Sequence, residues 1–517
     1  MNEKVRSLPK IKEDRIKPIF KSLLPAGSEV LPWVYFCQYL LELGLDINKD
    51  PRLKPVLDAW LGEGRPKDLD IMIFSKLAHL LFSLLEKASK GQLIIPQFEQ
   101  FSDELYTLYF NTKSINDGKV ADYIPQLGRV SSEKYGISIC TVDGQRQSFG
   151  DSNEMFCVQS ACKPISYCLA LKELGEEKVH QHVGREPSGH SFNEISLNKL
   201  GLPHNPMINS GAIMTSSMIK PHLSRADRFE YIIDVWSKLM GGERPNFSNP
   251  IYLSERETAD RNFALGYFMR ENNAFPEGTD LVDTLEFYFQ CCSLEVTTQM
   301  MSVLAATLAN GGVCPFTEER VFDHDAVQRC LSLMYSCGMY DFSGEWAFSV
   351  GLPAKSGVSG VTMVIVPNIM GVCIWSPLLD ENGNSVRGIE FCKQLIEKYN
   401  FHNFDHILHE SGHKKIDPRS MRNTENIDNN ASLLWACSAN KISEIKYLIA
   451  KGVNLAKADY DGRTGLHLAA SEGNLDVVKL LHSMGVELMP KDRWGLTPLD
   501  DAKRENRKAV IDWFENR

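Results

Sequence analysis

A spacing of 33 residues near the C-terminal end restricts the fold of this chain more than any other feature. Gly462-Arg-Thr464-Gly-Leu466-His467-Leu-Ala469 is followed 33 residues later by Gly495-Leu-Thr497-Pro498-Leu499, and preceded at the same distance by the worn Leu433-Leu-Trp-Ala436. The second halves keep step, since Ile445-Lys-Tyr-Leu-Ile449 and Val478-Lys-Leu-Leu481 each run on to a glycine, Gly452 and Gly485. A single unit of two short helices cannot bury its apolar face, and about three units stacked side by side can. The spacing therefore predicts a short stack of helix pairs that shares one core and presents one face for binding.

The repeated segment resembles the ankyrin repeat, T-P-L-H-x-A in a unit of 33, with a degenerate first and last member over 427–517. Ninety-odd residues leave most of the 517 unexplained. At roughly 100–200 residues per domain, about three domains are expected. A helical assembly segment is expected over 1–115, a mixed α+β domain over 116–402 and a polar linker over 403–426. In the first segment apolar residues fall at helical spacing in Val34, Cys37, Leu40 and Leu41, and again in Leu77, Leu80, Leu81, Leu84 and Leu85. Asp46-x-Asn48-x-Asp50 opens like a calcium loop of the EF-hand type, but Pro51 replaces the sixth-position glycine and Leu57 the closing glutamate. The segment reads as degenerate EF-hand-like and used for packing. The linker and its border carry His402, His406, His409 and His413, which would share a helix face. With no carboxylate or cysteine shell in view, a solvated hinge is expected there in place of a metal site.

A net charge of −10 argues against a nucleic-acid surface, which needs a basic patch. No run of about 18 apolar residues is present to cross a bilayer as a helix. Thirteen cysteines without any C-x-x-C spacing read as reduced thiols in an intracellular compartment. The first ten residues mix acids with bases, unlike an Arg- and Ser-rich presequence.

The chemistry is expected in the central domain. Ser160-Ala-Cys-Lys163 puts a hydroxyl and an amine one helical turn apart, and Pro164 to Gly175 reads as a helix that begins near Ser160. A serine hydroxyl is a poor nucleophile until a base takes its proton, and a desolvated lysine on the same face is such a base. Lys355-Ser356-Gly357 stands just before Val361-Thr-Met-Val-Ile-Val366, a β-branched run that reads as a buried strand. Serine acyl-transferases of the β-lactamase and penicillin-binding type pair S-x-x-K with K-[ST]-G in this order. Gly136-Ile-Ser-Ile-Cys-Thr-Val-Asp143-Gly144-Gln reads as a hairpin with a type I′ turn and alternating Ile137, Ile139 and Thr141.

Longer motifs carry a more specific resemblance. Gly118-Lys-Val-Ala-Asp-Tyr123-Ile-Pro-Gln-Leu127, Pro203-His-Asn-Pro-Met-Ile-Asn209-Ser-Gly-Ala212, Ser254-Glu255-Arg-Glu, Asp260-Arg-Asn262-Phe-Ala264, Ser336-Cys-Gly-Met-Tyr340-Asp-Phe-Ser-Gly344 and Gly351-Leu-Pro-Ala-Lys-Ser-Gly-Val358 together resemble the animal phosphate-activated glutaminases. The resemblance implies an amidohydrolase that converts L-glutamine to L-glutamate and ammonia on a β-lactamase-like α+β domain, without a metal or organic cofactor. It implies Ser160 as nucleophile, Lys163 as its base and Tyr340 as a proton relay, all three catalytic, with backbone N–H groups of Ser160 and Val358 holding the oxyanion. Substrate binding falls by the same resemblance to Glu255 for the ammonium, to Asn209, Asn262 and Tyr123 for the carboxylate, and to Tyr288 and Val358 in the same pocket. It further implies inorganic phosphate as activator, a homotetramer meeting at the loop Gly189–Leu197, protein partners for the ankyrin units, and a mitochondrial location, with a cytoplasmic one left open by the N-terminal residues. The competing readings are another serine amidase or penicillin-recognising enzyme on the same fold, and an inactive ankyrin scaffold.

Overall fold

A computed structural model describes residues 13–25, 28–189, 193–405, 415–419, 421–450 and 453–516. His406, His409 and His413 of the histidine cluster lie outside the described residues, as do 190–192 of the loop Gly189–Leu197.

Helices Glu13–Leu23, Trp33–Glu42, Lys54–Gly62, Ile71–Leu80 and Phe82–Ser89 enclose a core of their own around Phe36, Leu40, Phe74 and Leu77. The stripe read from sequence is corrected in two places. Trp33–Glu42 buries Trp33, Phe36 and Leu40, which leaves Val34 and Leu41 exposed on its outer face. The run from Leu77 to Leu85 spans two helices, because Leu81 leaves helical geometry at φ −137°. Asp46 caps the N–H of Asn48 at 2.9 Å, and Asp50 pairs with Arg52 at 2.6 Å. Arg52 also donates to the carbonyl of Asp143 at 2.7 Å, so the degenerate calcium-like loop clasps the first hairpin of the next domain.

The elements of that domain that frame the site are, in chain order, helix α1 (Phe98–Lys113), strands β1 (Gly136–Thr141) and β2 (Arg146–Gly150), and helices α2 (Lys163–Leu174), α3 (Asn209–Met218), α4 (Asn249–Glu257), α5 (Asp260–Glu271), α6 (Leu281–Cys292) and α7 (Thr298–Ala309). The domain closes with strands β3 (Ala354–Gly357), β4 (Val361–Val366), β5 (Met370–Trp375) and helix α8 (Val386–Lys398). The strands form one antiparallel sheet in the order β2-β1-β5-β4-β3. Helix α7 packs on one face. On the other face α1 and α8 bury Phe101, Leu105, Phe391 and Leu395 against Ile137, Ile139 and Val372.

With helices on both faces, every residue of β1, β4 and β5 is buried. The alternation read in β1 therefore does not mark a half-exposed strand. Its polar member, Ser138, lies inside on the α7 face, 2.7 Å from the hydroxyl of Thr298. The β1–β2 turn also differs from expectation. Only Gly144 has positive φ, at 81°, and Asp143 does not, so the turn is not type I′. Gln145 returns its carbonyl to the N–H of Thr141, making a longer loop whose Asp143 carboxylate caps the N–H of Ile94 at 2.7 Å.

The C-terminal units form helix pairs Met421–Ser438 with Ile442–Ala450, Gly465–Glu472 with Leu475–Ser483, and Pro498–Arg504 with Lys508–Glu515. Thr464 and Thr497 both cap their helices. The ring of His467 joins adjacent units, accepting the N–H of Thr464 at Nδ1 and donating from Nε2 to Leu496 O at 3.2 Å. Their shared core holds Leu466, Ala469, Val478 and Leu481. The first helix begins at Met421, inside the stretch read as linker, because no proline or glycine follows Pro418 to break it.

Where the sheet meets α7 the approach is close. A Cβ on Gly371 of β5 would lie 2.2 Å from the backbone N of Ala306. Overpacking such a contact costs about 1–3 kcal/mol, so Gly371→Ala is expected to lower the unfolding free energy of the central domain by that much, seen as a lower denaturant midpoint. Chemical denaturation followed by circular dichroism measures it, and an unchanged midpoint would contradict the packing described here.

Candidate active site

The site begins where a short strand, Phe156–Cys157, leads into a tight turn. The strand pairs with Val296 and Glu295. Gln159 then takes φ +48°, a left-handed conformation uncommon outside glycine, and residues Gln159–Cys162 form a 3₁₀ turn. Sequence reading started the helix near Ser160; α2 starts at Lys163, whose N–H bonds to Ser160 O. The correction strengthens the pairing of the two residues, since side chains three apart eclipse on a 3₁₀ turn. Pro164, lacking an N–H, sits in the first turn of α2 where none is needed.

Lys163 has no solvent exposure, and its Nζ donates to Asn209 Oδ1 at 2.6 Å. Burial disfavours its charged form and lowers its pKa to about 8. A second amine lies close by. Lys355 on β3 is also fully buried, donates to Ser356 O at 2.8 Å and stands 4.4 Å from the centre of the Tyr340 ring. Burial, and next the charge of Lys163, push Lys355 well below the usual lysine range. Two ammonium groups enclosed this near each other favour the neutral form in at least one of them.

Tyr340 is delivered by another strained turn, Tyr340–Phe342, with φ +53° at Tyr340 itself. Its hydroxyl interacts with the side chains of Ser160 and Ser356, contacts that work against the upward push of burial on its pKa. Left-handed backbone at two non-glycine residues costs of order 1–3 kcal/mol each and persists only where surrounding packing holds it. Ser343 supplies part of that hold, accepting the N–H of Met339 at 3.0 Å and donating to Tyr340 O at 2.7 Å.

Helices α3 to α6 line the other side. Asn209 opens α3, whose entry is tight enough that a Cβ on Gly211 would meet Asn205 O at 1.9 Å. Asn209 receives Lys163, donates from Nδ2 to Asn262 Oδ1 of α5 at 3.1 Å, and accepts the Tyr288 hydroxyl of α6 at 3.4 Å. Glu255 of α4 is buried; it accepts the Tyr123 hydroxyl at 2.5 Å and Gln159 Nε2 at 2.9 Å. Burial raises its pKa and these two donors oppose the rise. The ring of Tyr123 is half-exposed while its hydroxyl turns inward to Glu255. Val358 follows β3, and a Cβ on Gly357 would lie 2.8 Å from Val158 O, so the end of β3 abuts the backbone just before Ser160.

The structure thus brings together Ser160, Lys163, Tyr340, Tyr123, Asn209, Glu255, Asn262, Tyr288 and Val358. Gln159 was missed in sequence: it holds Glu255, and its adjacency to Ser160 was the available signal. Lys355 and Ser356 were seen only as a motif, and both face Tyr340. Cys162 and Cys292 stand behind the turn with sulfurs 3.8 Å apart, and all thirteen cysteines are free. A buried polar cluster of a serine, two low-pKa amines and a carboxylate suits acyl transfer from a small, charged amide substrate.

Residues 118–404 match the glutaminase family model, and 433–482 match a model of ankyrin repeats in many copies. The mitochondrial liver isoform of glutaminase from Rattus norvegicus is 44% identical over 95% of this chain and 82% of its own length. Putative glutaminase 2 of Caenorhabditis elegans is 49% identical over 92% of this chain and 81% of its own. Among solved structures, a probable glutaminase from Bacillus subtilis complexed with 6-diazo-5-oxo-L-norleucine superposes with a TM-score of 0.54 at 34% identity, covering 59% of this chain and 98% of that one. A central domain on a β-lactamase-like scaffold, with ankyrin repeats behind it, belongs here to the glutaminase family, and the chain hydrolyses L-glutamine to L-glutamate.

Proposed function

We propose that hydrolysis runs through an acyl-serine on Ser160, with Lys163 as the base. The observation that carries this reading is an amine with no solvent exposure and a pKa lowered to about 8, held three residues beyond Ser160 on a 3₁₀ turn. Neutral Lys163 takes the Ser160 proton as the oxygen attacks the δ-carbon of glutamine, and backbone N–H groups of Ser160 and Val358 hold the oxyanion. Tyr340, in contact with Ser160, relays the proton to the departing ammonia, and water then opens the ester by the same route.

Glu255 binds the α-ammonium of the substrate, a role that fits a buried carboxylate with no arginine or lysine partner among the described residues. Asn209, Asn262 and Tyr123 address the α-carboxylate, and Tyr288 orients Asn209. Leaving either charge of a buried amino acid unpaired is costly, so these contacts set specificity for the free amino acid.

Further parts of the reading concern assembly and place. The chain forms a homotetramer through the loop that includes Gly189–Leu197, and inorganic phosphate activates it. Support comes from position: the cavity of about 470 Å³ beside Tyr340 is lined by Ser188 and Gly189, so a contact at that loop reaches the relay. The ankyrin units bind a protein partner. The mitochondrial names of the rat and mouse relatives favour the same compartment.

Ser160→Ala is expected to lower kcat by roughly 10³-fold or more in an ammonia-release assay, and retained turnover would remove Ser160 from the mechanism. Because protonated lysine cannot accept a proton, kcat/KM should rise with pH through an apparent pKa of about 8 and level off above it. A profile flat from pH 6 to 9 would count against Lys163. Replacing that buried amine by an apolar chain of similar length removes a desolvated polar group, so Lys163→Met should be inactive yet melt no lower than the parent at pH 7. Glu255→Gln should raise KM at least tenfold with kcat changed less, whereas an equal loss in kcat alone would shift Glu255 from binding to chemistry.

A further inference from the structure

A cavity of about 540 Å³ lies beside the β3–β4 turn, lined by Val358 and Cys157 but by none of Ser160, Lys163, Asn209, Glu255 or Tyr340. Its floor is apolar, made by Leu127, Ile251, Phe156 and Trp375, with the Phe156 and Trp375 rings stacked 5.3 Å apart. Four ionic side chains reach its wall. Lys134 is shared between Glu154, at 2.9 Å, and Asp151, at 3.2 Å. Arg129 is exposed and has no ion pair among the described residues, and Glu295, half-buried, accepts the Asn246 amide at Oε2 at 3.0 Å.

Two further polar groups on wall residues are buried without partners: Ser359 Oγ and Gln126 Oε1. The Ser359 backbone is fixed by Trp375, whose indole N–H donates to its carbonyl at 3.0 Å, so only the hydroxyl is left to turn. Buried polar groups are ordinarily satisfied, so two without partners on one wall call for a partner supplied from the cavity. An exposed cation, a half-buried carboxylate and an apolar floor on one cavity are complementary to a zwitterion with an apolar side chain.

We propose that this cavity is a second small-molecule site, distinct from the glutamine site, that binds an apolar α-amino acid such as L-phenylalanine or L-leucine. The α-carboxylate pairs with Arg129 and takes the Ser359 hydroxyl, the ammonium lies toward Glu295 and Gln126, and the side chain covers Leu127, Ile251 and the Phe156–Trp375 stack. Because Val358 and Ser359 share the β3–β4 turn, occupancy shifts the Val358 N–H and alters kcat; that kinetic clause alone rests on the oxyanion role proposed for Val358.

The test is isothermal titration of the full chain with L-phenylalanine, L-leucine, 3-phenylpropionate and phenethylamine, alongside glutaminase kinetics. Expected is saturable binding of both amino acids, weakened at least tenfold when either the amino or the carboxyl group is missing. Arg129→Ala and Glu295→Gln should each weaken L-phenylalanine at least tenfold while basal kcat with glutamine stays within about twofold of the parent. Bound amino acid should change kcat without raising KM for glutamine. Absence of saturable heat, binding indifferent to both substitutions, or strict competition with glutamine would overturn the site. Binding that obeys the substitutions but leaves kcat untouched would keep the site and remove the Val358 coupling.

Discussion

The desolvation of Lys163 is the constraint around which the central domain is arranged. An amine withdrawn from water loses its hydration, and the short bond to Asn209 returns part of what is lost. Its neighbourhood holds a second sealed amine, Lys355, so neither can rely on the other to stabilise its charge. The balance favours an uncharged nitrogen near neutral pH, which is the form that can remove a proton from an adjacent hydroxyl. Such an arrangement costs folding free energy, and the cost is met by packing on both faces of the five-stranded sheet.

That packing also sets the strain. Gln159 and Tyr340, on either side of Ser160, adopt left-handed backbone that each local sequence disfavours. Both are gripped from behind. Gln159 is bonded to Glu255, and Tyr340 is fixed by Ser343 and faced by Lys355. Bare glycines let these segments approach: Gly357 brings β3 against Val158, and Gly211 lets the start of α3 carry Asn209 inward beneath Asn205. The site is therefore a product of close backbone contacts as much as of its polar side chains.

How much of this was legible in sequence depends on the kind of feature. Local periodic signals were readable: the 33-residue repeat became three helix pairs, and Val361–Val366 became a strand buried on both faces. Features decided by tertiary neighbours were not. The alternation of Ile137 and Ile139 does not tell that Ser138, between them, is inside as well, because α7 lies on it. The β1–β2 turn reads as type I′ and is longer because the Asp143 carboxylate is engaged by Ile94. The spacing of Ser160 and Lys163 was visible, while the 3₁₀ turn that aligns them depends on the φ of Gln159, which no local rule foretells. Tyr123, Asn209, Glu255, Asn262 and Tyr288 come from five separated segments, so only family likeness gathered them before the fold did.

The most direct measurement is titration of the Lys163 amine itself. With ¹³Cε-lysine incorporated into the full chain and the signal assigned by its absence in Lys163→Met, the chemical shift reports the protonation state at each pH. The account predicts a midpoint near 8. A midpoint at the ordinary lysine value, about 10.4, would leave Lys163 charged throughout the working range and contradict its role as the base.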